Sequence, residues 1–92
     1  GSTILHYAAT AGDLALVKKI VAMGVNINAQ NDDGMTALVK AASTAKDDQV
    51  LRYLIEAGAD KSIKSSFDES AYDLVKNNEA FRKSGINIDF LK

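Results

Sequence analysis

The chain has 92 residues, 47% of them hydrophobic and 25% charged, with eleven Lys and Arg against twelve Asp and Glu for a net charge of −1. That length holds one small domain and no second core, and the composition carries enough apolar surface to exclude a disordered chain. The absence of cysteine rules out disulfides and thiolate metal sites. The missing basic surplus argues against a nucleic-acid binder, and no apolar run approaches the ~20 residues of a membrane-spanning helix.

In chain order, Gly1-Ser2 reads as the remnant of an expression tag, so fold reasoning starts at about Thr3. A start inside a motif leads to the expectation of an excised domain or a repaired N-terminus. Thr3-Ile4-Leu5-His6-Tyr7-Ala8-Ala9 opens a first helix. Asp13 caps a second, whose Leu14, Val17, Ile20 and Val21 form one apolar face, and Gly24 ends it. Asn31-Asp32-Asp33-Gly34 is a turn, with Gly34 free to take positive φ.

The pattern then repeats. Thr36-Ala37-Leu38-Val39-Lys40-Ala41-Ala42 matches the segment from Thr3 at an offset of 33, and Gly58-Ala59-Asp60 matches Gly24-Val25-Asn26 at an offset of 34. The extra residue falls in Ser43-Thr44-Ala45-Lys46-Asp47-Asp48, where Asp47 or Asp48 caps a helix carrying Val50, Leu51, Leu54 and Ile55. A third copy starts at Ser70, whose pairing with Asp73 approximates a capping box, and then degenerates. Lys76-Asn77-Asn78-Glu79, Arg82 and Lys83 give that last unit a polar exterior, with Phe81, Ile86, Phe90 and Leu91 positioned to fold back on the preceding pair. Ile4 and Leu5 have no turn before them to shield them, which predicts missing sequence or a frayed start.

The expected class is therefore all-α: a solenoid of two full helix-pair repeats and a partial C-terminal capping repeat. It forms a single domain over residues 3–92, with repeats at about 3–35, 36–69 and 70–92. Each helix pair is too small to bury its apolar face alone, so its neighbour covers it.

These segments resemble the ankyrin-repeat family. Residues 3–9 are similar to the signature Thr-Pro-Leu-His-x-Ala-Ala, and Gly58-Ala59-Asp60 and Gly24-Val25-Asn26-Ile27-Asn28-Ala29 are similar to the Gly-Ala-Asp ending and its longer form. The resemblance runs from about residue 3 to 78. The chain departs from the pattern in lacking proline, with Ile4, Ala37 and Ala71 in its slot, and in placing Val39 and Asp73 where the family has histidine. The helix–helix glycine, present as Gly12, is lost in the second unit. Asp68 stands in the last turn's glycine slot, where a non-glycine residue must accept positive φ.

What the resemblance implies is a protein-interaction scaffold that binds through turn tips and the concave side of the first helices. Carried over by position, the tips are Gln30, Asp32, Asp33 and Met35, then Lys64, Ser66, Phe67 and Glu69. Tyr7, Thr10, Lys40, Ser43 and Thr44 form the helix side. The resemblance assigns His6 a hydrogen bond to turn backbone, and as the only histidine it has no nucleophile or metal partner at a useful spacing. Asp32-Asp33 and Asp47-Asp48 lack the alternating oxygen ligands of a calcium loop and read as turn and cap residues.

Phe67 has two readings, an exposed anchor or a side chain folded onto Ile63 and the cap. Tyr72 fills the motif's leucine slot and reads as core, and Lys18, Lys19, Arg52 and Lys61 as a solvated outer face. No catalytic residue, metal site or cofactor is expected. The expected partner is another protein, and the chain itself a soluble, cytoplasmic monomer. The alternative is a targeting or regulatory segment of a larger protein, or recognition of a non-protein ligand such as nucleic acid.

Overall fold

The computed structural model describes residues 4–92; Thr3, expected to open the first helix, and Gly1-Ser2, read as a tag remnant, lie outside the described residues. Among the described residues six helices follow one another as α1 (Ile4–Ala11), α2 (Leu14–Ala22), α3 (Ala37–Thr44), α4 (Gln49–Glu56), α5 (Ala71–Lys76) and α6 (Glu79–Lys83), with a closing 3₁₀ turn at Asp89–Leu91. No strand occurs among the described residues.

The helices begin where side-chain oxygens meet orphan amides. Asp13 accepts from the Leu16 amide at 3.1 Å, and Thr36 from the Val39 amide at 3.3 Å. Ser70 and Asp73 form a complete capping box, each side chain accepting from the other's backbone amide at 3.3 and 3.1 Å. Before α4 the two aspartates divide the work. Asp47 accepts from the Gln49 amide at 3.1 Å, while Asp48, at the N-cap, makes no capping bond and pairs with Arg52.

Successive pairs pack in register: α1 against α3, α3 against α5, and α2 against α4. Small side chains on the first helices (Ala8, Ala9, Ala41, Ala42, Ala71) let their backbones approach, and Leu5, Val17, Ile20, Leu38, Leu51 and Leu54 fill the space between layers. Leu5 is thus fully buried, and of the first two residues of α1 only Ile4 is left exposed. The same logic separates Leu16 from its equivalent Val50, which stand 39% and 7% exposed, because the first unit covers Val50 and no described unit covers Leu16.

The third unit is more regular than its sequence indicates. Asn78 is no part of a polar exterior. It caps α6 by accepting from the Phe81 amide at 3.2 Å, and its Nδ2 donates to the Ala42 and Ala45 carbonyls at 3.1 and 2.7 Å. Phe81 and Leu91 are fully buried, and Ile86 and Phe90 pack partly against the core, so the tail does fold back. Tyr72 is only half-buried where its counterparts Leu5 and Leu38 are fully inside. Its ring lies 5.4 Å from the Lys76 ammonium and 5.8 Å from that of Lys92. Arg52, read as a solvated charge, lies 4.2 Å from the Phe90 ring centroid and helps hold the tail.

Candidate functional site

Two turns project between the units, and they close by the same bonds. In the first, the Asn31 amide donates to the Met35 carbonyl and the Gly34 amide to the Asn31 carbonyl, both at 2.9 Å. In the second, the Ser65 amide donates to the Glu69 carbonyl and the Asp68 amide to the Ser65 carbonyl, again at 2.9 Å. A side-chain oxygen completes each turn: Asn31 accepts from the Asp33 amide at 2.9 Å and Ser65 from the Phe67 amide at 3.1 Å. Asp33 and Phe67 are therefore equivalent positions on consecutive tips.

The tips are tied to each other. The Ser66 amide donates to the Asp33 carbonyl at 2.8 Å. Gly34 permits this approach twice over: its φ is +72°, and a Cβ there would stand 2.9 Å from the Ser66 nitrogen. At the matching place in the next tip, Asp68 has a φ of 61°, the positive value its glycine slot demands. The first tip is also braced from below, where His6, 1% exposed on α1, sets Nε2 2.7 Å from the Met35 carbonyl. A carbonyl only accepts, so Nε2 is the protonated nitrogen in that contact. Val39 and Asp73 offer no imidazole to later turns, and Asp73 is spent on Ser70.

The residues singled out in the sequence divide by exposure. Asp32, Asp33, Ser66 and Phe67 stand exposed at the tips, and Phe67 at 66% is an open side chain, which decides against its folding onto the cap. Gln30 is exposed but donates from Nε2 to the Gly34 carbonyl at 2.8 Å, and Lys64 pairs with Asp68 at 3.6 Å. Met35 and Glu69 are half-buried, Met35 packing against the core beneath its turn.

On the helix side Tyr7 is 68% exposed and Lys40 half-buried. Adding the repeat offset of 34 to Lys40 gives Leu74, half-buried on α5, which the sequence reading omitted although its own periodicity points there. Thr10, Ser43 and Thr44 lie toward the other ends of α1 and α3. Their hydroxyls donate to the carbonyls of His6 at 2.8 Å, Lys40 at 2.7 Å and Thr10 at 3.1 Å, so their donor hydrogens are committed internally.

At that end lies a depression of about 330 Å³, lined by Ala9, Thr10, Gly12, Ala41, Thr44, Lys46, Asp47 and Val50 among others. It opens between Gly12 and the lengthened turn of the second unit. Of this lining the sequence reading singles out only Thr10 and Thr44 as site residues; it gives Gly12, Asp47 and Val50 turn, cap and core roles, and alanines inside a repeat motif carry no chemical signal.

The Ser70 amide beside Asp73 holds that carboxyl below its usual range, and the Ser62 hydroxyl and amide do the same for Asp60. Among the described residues no group of three or more His, Asp or Glu side chains could hold a metal ion, and no helix is long and apolar enough to cross a membrane.

Paired short helices stacked in register, with hydrogen-bonded turns projecting between them, define a helical repeat solenoid. A family model described as ankyrin repeats (3 copies) matches residues 1–65, and the chain belongs to the ankyrin-repeat family. It is similar to ankyrin repeat domain-containing protein 40 of Homo sapiens, 33% identical over 82 residues, which are 89% of this chain and 22% of that protein. It is also similar to protein phosphatase 1 regulatory subunit 27 of Mus musculus, 35% identical over 75 residues, 82% of this chain and 48% of that one. Ankyrin repeat and SAM domain-containing protein 6 of Rattus norvegicus is 34% identical over 76 residues, 82% of this chain and 8% of that protein. The chain thus spans under half the length of each of these relatives.

Proposed function

We propose that this chain is a non-catalytic protein-binding module whose partner lies across the two turn tips and the exposed side of α1, α3 and α5. One observation carries the reading. Groups 33–34 residues apart in sequence lie side by side on consecutive units, so scattered side chains such as Asp33 and Phe67 become one continuous surface. Such a surface is long and shallow, which suits a macromolecular segment better than a small substrate. One relative is a regulatory subunit of a protein phosphatase by name, and a subunit that regulates another protein supports the same reading.

The test is capture of cell proteins by the immobilised chain, compared with a variant carrying Tyr7→Ala, Asp33→Ala and Phe67→Ala. All three side chains are exposed, so the variant keeps the unfolding transition of the parent. Loss of the captured proteins supports the proposed face; undiminished capture refutes it.

A further inference from the structure

Among the described residues Phe67, 66% exposed, is the one large apolar side chain left open on a turn tip; the others, Ile4, Tyr7, Leu16 and Met23, lie on α1 and α2 or at the end of α2. A ring at a turn tip contributes nothing to the core, and burying it later releases its full apolar surface from water. Exposed aromatics at fixed positions are the usual anchors of protein contacts.

Its neighbours set the charge it is seen with. Lys64 and Asp68, on its own turn, pair at 3.6 Å and cancel each other. The adjacent tip sets the like charges of Asp32 and Asp33 in sequence, and Asp33 occupies the position equivalent to Phe67. An exposed carboxylate and an exposed phenyl ring therefore occupy matching positions on two turns whose backbones are bonded together.

Their relation is fixed before any partner arrives. The bond from the Ser66 amide to the Asp33 carbonyl at 2.8 Å joins the tips one residue away from Phe67, and the His6 contact to Met35 braces the first of them. An extended chain laid across the joined tips advances about 3.3 Å per residue with successive side chains on opposite faces, so two of its side chains that both face the tips stand two residues apart.

We propose, resting on the protein-binding reading above, that the partner presents an extended segment with an Arg or Lys set against Asp33 and a large apolar side chain set against Phe67, two residues from each other. Prior ordering of the tips lowers the entropic cost of the contact. The charge pair sets the direction in which the segment lies and the salt dependence of its association.

The experiment pans a random displayed peptide library on the full 92-residue chain and measures a synthetic peptide of the enriched consensus by calorimetry at low and high salt. The expected consensus pairs Lys or Arg with Leu, Met, Phe or Trp two positions away. Phe67→Ala weakens that peptide about 30-fold. Asp33→Asn weakens it about fivefold and flattens the salt dependence, and Asp33→Lys turns the selection toward acidic–apolar sequences. Circular dichroism confirms that each variant keeps the parent fold. An enriched consensus without a basic residue, or binding indifferent to Phe67→Ala and lost on Tyr7→Ala, overturns this inference and leaves the protein-binding reading standing. No enrichment over a blank surface overturns both.

Discussion

The imidazole of His6 and the carbonyl of Met35 meet at 2.7 Å across 29 residues, joining the interior of the first helix pair to the turn that precedes the second. His6 is buried, and removing its ring takes away one of the two hydrogen bonds that the Met35 carbonyl accepts, the Asn31 amide at 2.9 Å being the other, and leaves a cavity in the first helix pair. His6→Ala is expected to cost about 2–3 kcal/mol, about 1 for the bond and the rest for the lost packing, read as a lower urea midpoint at unchanged slope. A loss below about 0.5 kcal/mol, the ordinary range for surface substitutions, refutes the brace.

Gly34 and Gly24 separate two kinds of glycine requirement. Both have positive φ, +72° and +84°, yet only Gly34 faces backbone, the Ser66 nitrogen at 2.9 Å from an added Cβ. Gly24→Ala is expected to cost about 1–2 kcal/mol from conformation alone. Gly34→Ala should exceed it by at least about 1 kcal/mol through overpacking, and should weaken capture by the tips as well. Equal losses in thermal melts would show that the tips do not rely on that approach.

Asn78 serves two helices at once, accepting from the Phe81 amide and donating to the Ala42 and Ala45 carbonyls. Asn78→Ala is expected to destabilise by about 2–3 kcal/mol, a cap of about 1 plus the stranded carbonyls. Asp13→Ala removes only an exposed cap and should cost about 1 kcal/mol. Comparing the two chevron or equilibrium unfolding curves measures the difference.

Asp73 gives the acid side of the stability profile. The Ser70 amide holds its folded pKa below the ordinary value, so it contributes stability that is complete above the unfolded pKa and lost as pH falls through the folded one. Asp60, lowered by the Ser62 hydroxyl and amide, acts in the same direction. Melts of the parent and Asp73→Asn should differ at neutral pH and converge below about pH 3.9. A difference that persists in strong acid would assign the effect to shape rather than charge.

Much of the fold was legible because a few side chains act locally. Asp13, Thr36 and Ser70 stand where a helix needs an acceptor, and each makes its cap. Asp68 declared its positive φ by filling a glycine slot. The short α6 was not legible, since five residues with one buried side chain, Phe81, show no helical period. Arg52 and Asn78 looked like solvated polar residues because their partners, Phe90 and the Ala42 and Ala45 carbonyls, lie 33 or more residues away. For the candidate site the period gave adjacency, placing Asp33 and Phe67 at matching positions on consecutive tips. Exposure came only from packing, which left Met35 and Lys40 half-covered and Phe67 open.

The lengthened turn at 43–48 lacks the glycine found at Gly12, and the carbonyls it leaves are answered by an amide that belongs to the following unit. The units are consequently not interchangeable cassettes. Duplicating, deleting or reordering the middle one would separate a defect from its remedy, so its place between its two neighbours is written into the chemistry of a single asparagine.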